Sequence, residues 1–497
     1  MDRVRLAGLT APTGFDEAFF AASSAVWREG LARRDFSARE LLAAVWERVL
    51  QRNPVINALA AYDIEAAERQ AAEAERLYAR GEARALEGLP ITIKDSFETA
   101  GLTTACGMEE LAEYCPRQDA VAVERLRAAG AVIFAKTNVP RLTGDFQTHN
   151  AIFGVTSNPW DLSRTPGGSS GGAAAAVAAG FCAFDLASDL GGSIRWPSHA
   201  CGLFGLKPSW GRIPLAGHIP PLPAMRLKNP PDLAVAGPLA RSAADLDLVL
   251  CLTAGPQNAT ECGHFPPVRK TRPDQLRLAL WLDPDFAPID IDVEAAVRVA
   301  AEVLGRAGAQ VEEARPSVAF AEVFEIYATL NFAIGFAGLT PGERARFADS
   351  ARDFAPEDKT YPAIRARAAR IDAASFSRLV ERRAAIREAF ASFFSRYDAI
   401  LCPAAPCLAF PHDLSPDPME RRLPTSAGEL PYYDLLKWAS VASLSHLPAA
   451  VAPVALNPQG LPCGVQIVCA LNADREAIAI AGMIEDLTGG FRAPPAR

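Results

Sequence analysis

With 497 residues, half of them hydrophobic and 22% charged, the chain has apolar material for a large buried core and a composition that excludes a disordered or fibrous protein. Its formal net charge of −8 is spread without a basic cluster, which argues against nucleic acid as a direct partner, because binding phosphates takes grouped Lys and Arg. Ten cysteines, none in a C-x-x-C pair, lack the usual zinc and redox spacings and read as buried, reduced thiols of a cytoplasmic protein.

Met1 to Phe20 has no long apolar run and carries Asp2 and Asp16, so neither a signal peptide nor a membrane anchor is expected there. Ser37-Ala-Arg-Glu40 is a capping box, and Leu41, Leu42, Val45 and Val49 follow at helical spacing. Ile64 to Arg80 predicts a second helix closed by Gly81. Pro90 to Lys94 predicts a strand, Val121 to Ala129 a helix ended by Gly130, and Ala131 to Ala135 another strand. Gly171 to Phe184 is small and apolar but stops at Asp185, too short to span a membrane. Phe181 to Leu186 and Asp398 to Cys402 add strands, and such alternation implies an α/β architecture with a sheet covered by helices. The proline-rich stretch from Ile213 to Asp232 reads as a long ordered loop. From Asp285 to Arg396 the pattern is mostly helical, and Phe320, Phe324 and Tyr327 form a stripe that reads as core packing before it reads as a pocket wall. The tail from Ala493 is expected to fray.

Three segments carry chemistry. Lys94 ends an apolar strand; alone it reads as a snorkelling surface lysine, but if buried its ammonium is disfavoured and it becomes a usable base. Pro166-Gly-Gly-Ser169-Ser170-Gly-Gly172 precedes an alanine-rich helix, where glycines allow close backbone approach and a helix N-terminus offers unpaired N–H groups. A Walker-type phosphate loop is not matched, and a plain anion-binding loop is the bland alternative. In Ser188-Asp-Leu-Gly-Gly-Ser193-Ile-Arg195 the two glycines let consecutive N–H groups face one spot, as an oxyanion needs. Ser169 and Ser170 also each match G-x-S-x-G, the nucleophile elbow of α/β-hydrolases, which would call on His412 or His446 as base.

Taken together, these segments resemble the amidase signature family. Lys94 and Ser169 are 75 residues apart, and Ser169 and Ser193 are 24 apart, as is typical of that family. Lys136-Thr-Asn-Val-Pro140, Asn158-Pro-Trp160, Gly205-Leu-Lys-Pro208, Gly237-Pro-Leu-Ala-Arg241 and Leu461-Pro-Cys-Gly-Val-Gln466 resemble it as well. The resemblance implies one α/β/α sandwich domain over 1–497 with a large mixed central sheet, a signature core at about 88–241 and a variable, substrate-shaping region at about 285–433. It implies a Ser–Ser–Lys triad: Lys94 as neutral base, Ser169 (held by a cis peptide bond) as relay, Ser193 as nucleophile. The N–H groups of Leu190, Gly191, Gly192 and Ser193 are expected to form the oxyanion hole. Ser170 supports the network, Asp189 and Arg195 pair to brace the loop, and Thr143 offers a backbone carbonyl near the substrate. No metal or other cofactor is implied. The expected substrate is a small amide, with anilides, esters and carbamates within reach. A second reading is the glutaminase-type component of a tRNA-dependent amidotransferase, which would need partner subunits; homo-oligomerisation stays open. The sequence departs from the commonest pattern at Ser96, Trp196 and Trp210, and the bulk of Trp196 beside the nucleophile loop is expected to narrow the acyl site.

Overall fold

In the strands Arg277–Leu280 and Ala399–Pro403, successive side chains enter different cores. Leu278, Leu280, Ala399 and Leu401 join one apolar cluster, while Ala279, Ile400 and Cys402 join another. A sheet with helices on both faces produces this split, because successive Cβ atoms of a strand point to opposite sides. The computed structural model describes residues 14–220, 223, 227, 229–256, 265, 267–336, 339–355 and 357–495.

Eleven strands build the sheet: β1 (Leu59–Tyr62), β2 (Pro90–Lys94), β3 (Val132–Thr137), β4 (Phe184–Asp189), β5 (Phe204–Lys207), β6 (Val235–Ala240), β7 (Arg277–Leu280), β8 (Gln310–Glu313), β9 (Ala399–Pro403), β10 (Ala449–Leu456) and β11 (Pro462–Cys469). Their spatial order is β1-β3-β2-β4-β6-β5-β10-β11-β9-β7-β8. The pairs β2/β3, β2/β4, β7/β9 and β7/β8 are parallel and the others antiparallel, so the sheet is mixed, as the resemblance implied.

Local signals formed the predicted elements. Ser37 Oγ accepts from the Glu40 N–H at 3.2 Å and Glu40 accepts from the Ser37 N–H at 2.8 Å, starting the Ala38–Ile56 helix that buries Leu41, Leu42, Val45 and Val49. Such a cap is worth about 1 kcal/mol. Gly81, left-handed at φ 73°, ends the Ile64–Arg80 helix. β7 and β8 were not anticipated: both are only four residues long, and β8, the edge strand, lies inside the stretch read as helical, with a burial pattern too weak to announce a strand. The proline-rich loop is partly outside the described residues, as are the first thirteen residues and the last two. Among the described residues no helix is long and apolar enough to cross a membrane.

Candidate active site

Lys94 is the last residue of β2, and β4 runs parallel beside it with Thr92 opposite Asp185 and Ile93 opposite Leu186. That register carries both strands to the same edge and sets Lys94 against Ser188: its Nζ lies 3.1 Å from Ser188 Oγ and 3.3 Å from the Ser188 carbonyl. Lys94 is 0% exposed, so the snorkelling alternative fails. Burial pushes its ammonium down to about 7, against the attraction of Asp189 and Asp185 nearby.

The glycine-rich loop brings the first two serines to the same nitrogen. Ser169 Oγ lies 2.9 Å and Ser170 Oγ 2.8 Å from Lys94 Nζ, and the Gly168–Ser169 peptide is cis, as the resemblance implied. Ser170 caps the Gly171–Ala178 helix. Glycine is required here by contact: a Cβ on Gly172 would sit 2.4 Å from the Asn138 nitrogen, and one on Gly168 would sit 2.6 Å from the Phe146 carbonyl carbon.

After β4 the chain turns through Leu190 to Ser193 around the Asp189 carboxylate. Asp189 accepts from the N–H groups of Gly192 and Ile194 at 3.0 Å each, and Arg195 meets it with Nε at 3.1 Å and an Nη at 2.9 Å. Burial alone would raise this carboxyl, but the Arg195 charge and the converging donors outweigh it and hold it at about 2. The expected Asp189–Arg195 brace therefore exists. The Gly192 N–H is engaged by Asp189, while Leu190, Gly191 and Ser193 line the same cavity as Ser169. Arg195 in turn reaches the Ala439 carbonyl, Ser443 Oγ and Gln466 Oε1 at 3.0, 2.8 and 2.9 Å.

Ser169, Ser193, Leu190, Gly191 and Thr143 open on one cavity of about 820 Å³. Phe146, Phe332, Phe336, Leu339, Phe347 and Tyr433 give it largely apolar walls, in which Arg141, Asp145, Glu343, Arg346 and Arg365 are also set. Thr143 sits in a turn with φ 54°. Trp196 does not line the cavity. Its indole is buried, donates to the Phe146 carbonyl at 2.9 Å and stacks on Phe410, so it props a wall and the expectation of direct narrowing is corrected. Phe320 is core, packed on Trp281, whereas Tyr327 donates its hydroxyl to the Leu190 carbonyl at 2.8 Å. His412 and His446 do not line the cavity, and His446 is held by Asp232 at 2.7 Å, so the α/β-hydrolase alternative has no base at its serines. Among the described residues no group of three His, Cys, Asp or Glu is arranged to hold a metal ion.

Sequence reasoning missed His218 and the part played by Ser188. His218, from the proline-rich loop, lines the same cavity with Nε2 2.9 Å from Ser188 Oγ and Nδ1 3.0 Å from the Pro220 carbonyl. Burial pushes its imidazolium down to about 3, so the ring is neutral. Only the histidine itself could have flagged it, since a loop contact leaves no periodicity.

The chain is similar to known proteins over most of its length. The A-type component of the glutamyl-tRNA(Gln) amidotransferase of Roseiflexus castenholzii is 36% identical, over 89% of this chain and 90% of that one. A solved amidase structure superposes with a TM-score of 0.75 at 28% identity, covering 94% of this chain and 99% of that one. A chain from an inhibitor-bound vestigial complex tied to the origins of an s-triazine catabolic enzyme gives 0.77 at 27% identity, covering 95% and 100%. The Amidase family model matches residues 40–477, and the chain belongs to the amidase signature family.

Proposed function

We propose that this chain hydrolyses a carboxamide with an apolar or aromatic portion, using Ser193 as nucleophile, Ser169 as relay and Lys94 as base. One observation carries the reading: a fully buried Lys94 amine stands 2.9 Å from Ser169 Oγ at the floor of an apolar cavity onto which Ser193 opens. Ser169 passes the Ser193 proton to Lys94 while Ser193 Oγ bonds to the carbonyl carbon. The carbonyl oxygen takes the negative charge among the N–H groups of Leu190, Gly191 and Ser193, where each donor is worth about 3 kcal/mol of barrier. The C–N bond then breaks, the relay protonates the leaving nitrogen, and water releases the acyl group by the same route. Anilides, esters and carbamates present a similar acyl carbon. We read the whole chain as one working unit, because Arg195 of the signature core is held by Ala439, Ser443 and Gln466.

The relatives favour a second reading, a glutaminase-type component that passes ammonia to partner subunits, since the Roseiflexus castenholzii protein carries an amidotransferase name at 36% identity. Asp145 in the cavity wall is already paired with Arg421 at 2.7 Å and accepts from Tyr432, but Glu343, Arg346 and Arg365 line the same cavity and offer charges of both signs, so the turnover of glutamine has to decide between the two readings.

Turnover of benzamide, hexanamide, 4-nitroacetanilide, phenyl acetate and L-glutamine by wild type, Ser193→Ala and Lys94→Ala tests both. We expect the apolar amides to be cleaved, glutamine to be spared, and both variants to fall by about 1000-fold or more. Preference for glutamine, with partner subunits co-purifying, replaces the first reading by the second. Variants as active as wild type overturn the mechanism.

A further inference from the structure

We propose that His218 is a positioning residue that, through Ser188, aims the lone pair of Lys94 at Ser169. The inference rests on the reading of Lys94 as a neutral base, and it follows from counting hydrogens. A carbonyl only accepts, so His218 Nδ1, 3.0 Å from the Pro220 carbonyl, carries the ring proton and Nε2 carries a lone pair. Nε2 lies 2.9 Å from Ser188 Oγ, so the Ser188 hydroxyl donates to the ring. Ser188 Oγ, 3.1 Å from Lys94 Nζ, can then only accept from the amine. Ser170 is committed in the same way, since its hydroxyl donates to the Ser188 carbonyl at 3.3 Å and its oxygen, 2.8 Å from Nζ, accepts. A neutral amine has two N–H bonds and one lone pair. One N–H bond is drawn to Ser170 and the other to Ser188, shared between its Oγ at 3.1 Å and its carbonyl at 3.3 Å, and the lone pair is left for the Ser169 hydroxyl at 2.9 Å. Ser169 is thereby oriented to give its proton to Lys94 and to receive one from Ser193.

The loop is built to keep the ring in place. The Glu98 N–H donates to the Gly217 carbonyl at 2.8 Å, the Ile219 N–H donates to the Ser96 carbonyl at 2.7 Å, and Phe97 meets the imidazole edge to face at 4.8 Å between centroids. Without the ring acceptor, the buried Ser188 hydroxyl turns its proton toward Lys94 and competes with Ser169 for the lone pair.

The test is kcat and KM on benzamide or hexanamide, whichever wild type turns over faster, for His218→Phe, His218→Gln, Ser188→Ala and the Ser188→Ala/His218→Phe pair. His218→Phe keeps the ring contact and should lower kcat by about 10- to 100-fold with KM within about twofold. His218→Gln, which can donate to Pro220 and accept from Ser188, should recover most of that loss. Cutting the link from the other side, Ser188→Ala should show a similar loss, and adding His218→Phe to it should cost nothing further. Wild-type kcat in His218→Phe or Ser188→Ala, or losses that multiply in the double variant, overturns the inference. Should His218→Phe fail to fold, Ser188→Ala alone decides by the same kcat criterion. If Lys94→Ala keeps activity, the functional reading has failed; if Lys94→Ala is inactive and His218→Phe is not impaired, this inference alone has failed.

Discussion

At Lys94 the decisive quantity is the free energy of burying an ammonium. Burial moves its pKa from 10.5 to about 7, which leaves a large neutral fraction near neutral pH. The sign is fixed: below about 7 the amine is protonated and has no lone pair, so kcat/KM should fall about tenfold per pH unit on the acid side and level off above it. Asp185, raised by burial to about 7, titrates beside it, so the acid limb belongs to the pair. A pH profile flat from 5.5 to 8 (a range of about two and a half units) would remove Lys94 as the base. Stability follows the same shift. Between about 7 and 10.5 the unfolded chain binds the Lys94 proton and the folded one does not, so this lysine's contribution grows more favourable as pH rises through that window. Lys94, Ser169 and Ser193 could be singled out in the sequence because their order and spacing resemble those of the amidase signature family, and the structure places Lys94 beside Ser169 and opens Ser169 and Ser193 on one cavity. His218 and Ser188 were not, because their contact depends on strand register and on where a proline-rich loop lies.

The Phe320–Gly335 helix shows what periodicity sees and what it misses. Its stripe announced a buried face correctly, and Phe320 and Tyr327 are buried. Periodicity says nothing of the hydroxyl at the end of Tyr327, which reaches the Leu190 carbonyl. That carbonyl and the Gly191 N–H belong to one trans peptide, so fixing one fixes the direction of the other. The Phe320–Gly335 helix thus fixes the direction of the Gly191 N–H, the proposed oxyanion donor. Tyr327→Phe removes one oxygen and should lower kcat about tenfold, close to 1.4 kcal/mol, with KM little changed. Steady-state kinetics on the amide panel check it; an unchanged kcat means that Gly191 needs no clamp.

Across the whole molecule, the segment Leu461–Gln466 was legible as a motif but not as a role. Gln466 on β11 takes an Arg195 N–H with its Oε1 and donates its amide to the Pro403 and Trp438 carbonyls at 3.1 and 3.2 Å. Gln466→Leu takes one hydrogen-bond partner from each of these buried groups, so we expect a stability loss of about 1–3 kcal/mol in all. The lower thermal midpoint should come with lower kcat, because Arg195 loses a support of the nucleophile loop; a variant with both unchanged would show that the brace is redundant. The distance along the chain has a consequence in time. Arg195 and Gln466 are 271 residues apart, so during synthesis Lys94, Ser169 and Ser193 all leave the ribosome long before the strand that steadies Arg195. On the proposed mechanism, a nascent chain that has already made Lys94, Ser169 and Ser193 still lacks the Gln466 support of Arg195, and hydrolytic competence is expected only once the Pro462–Cys469 strand has joined the sheet.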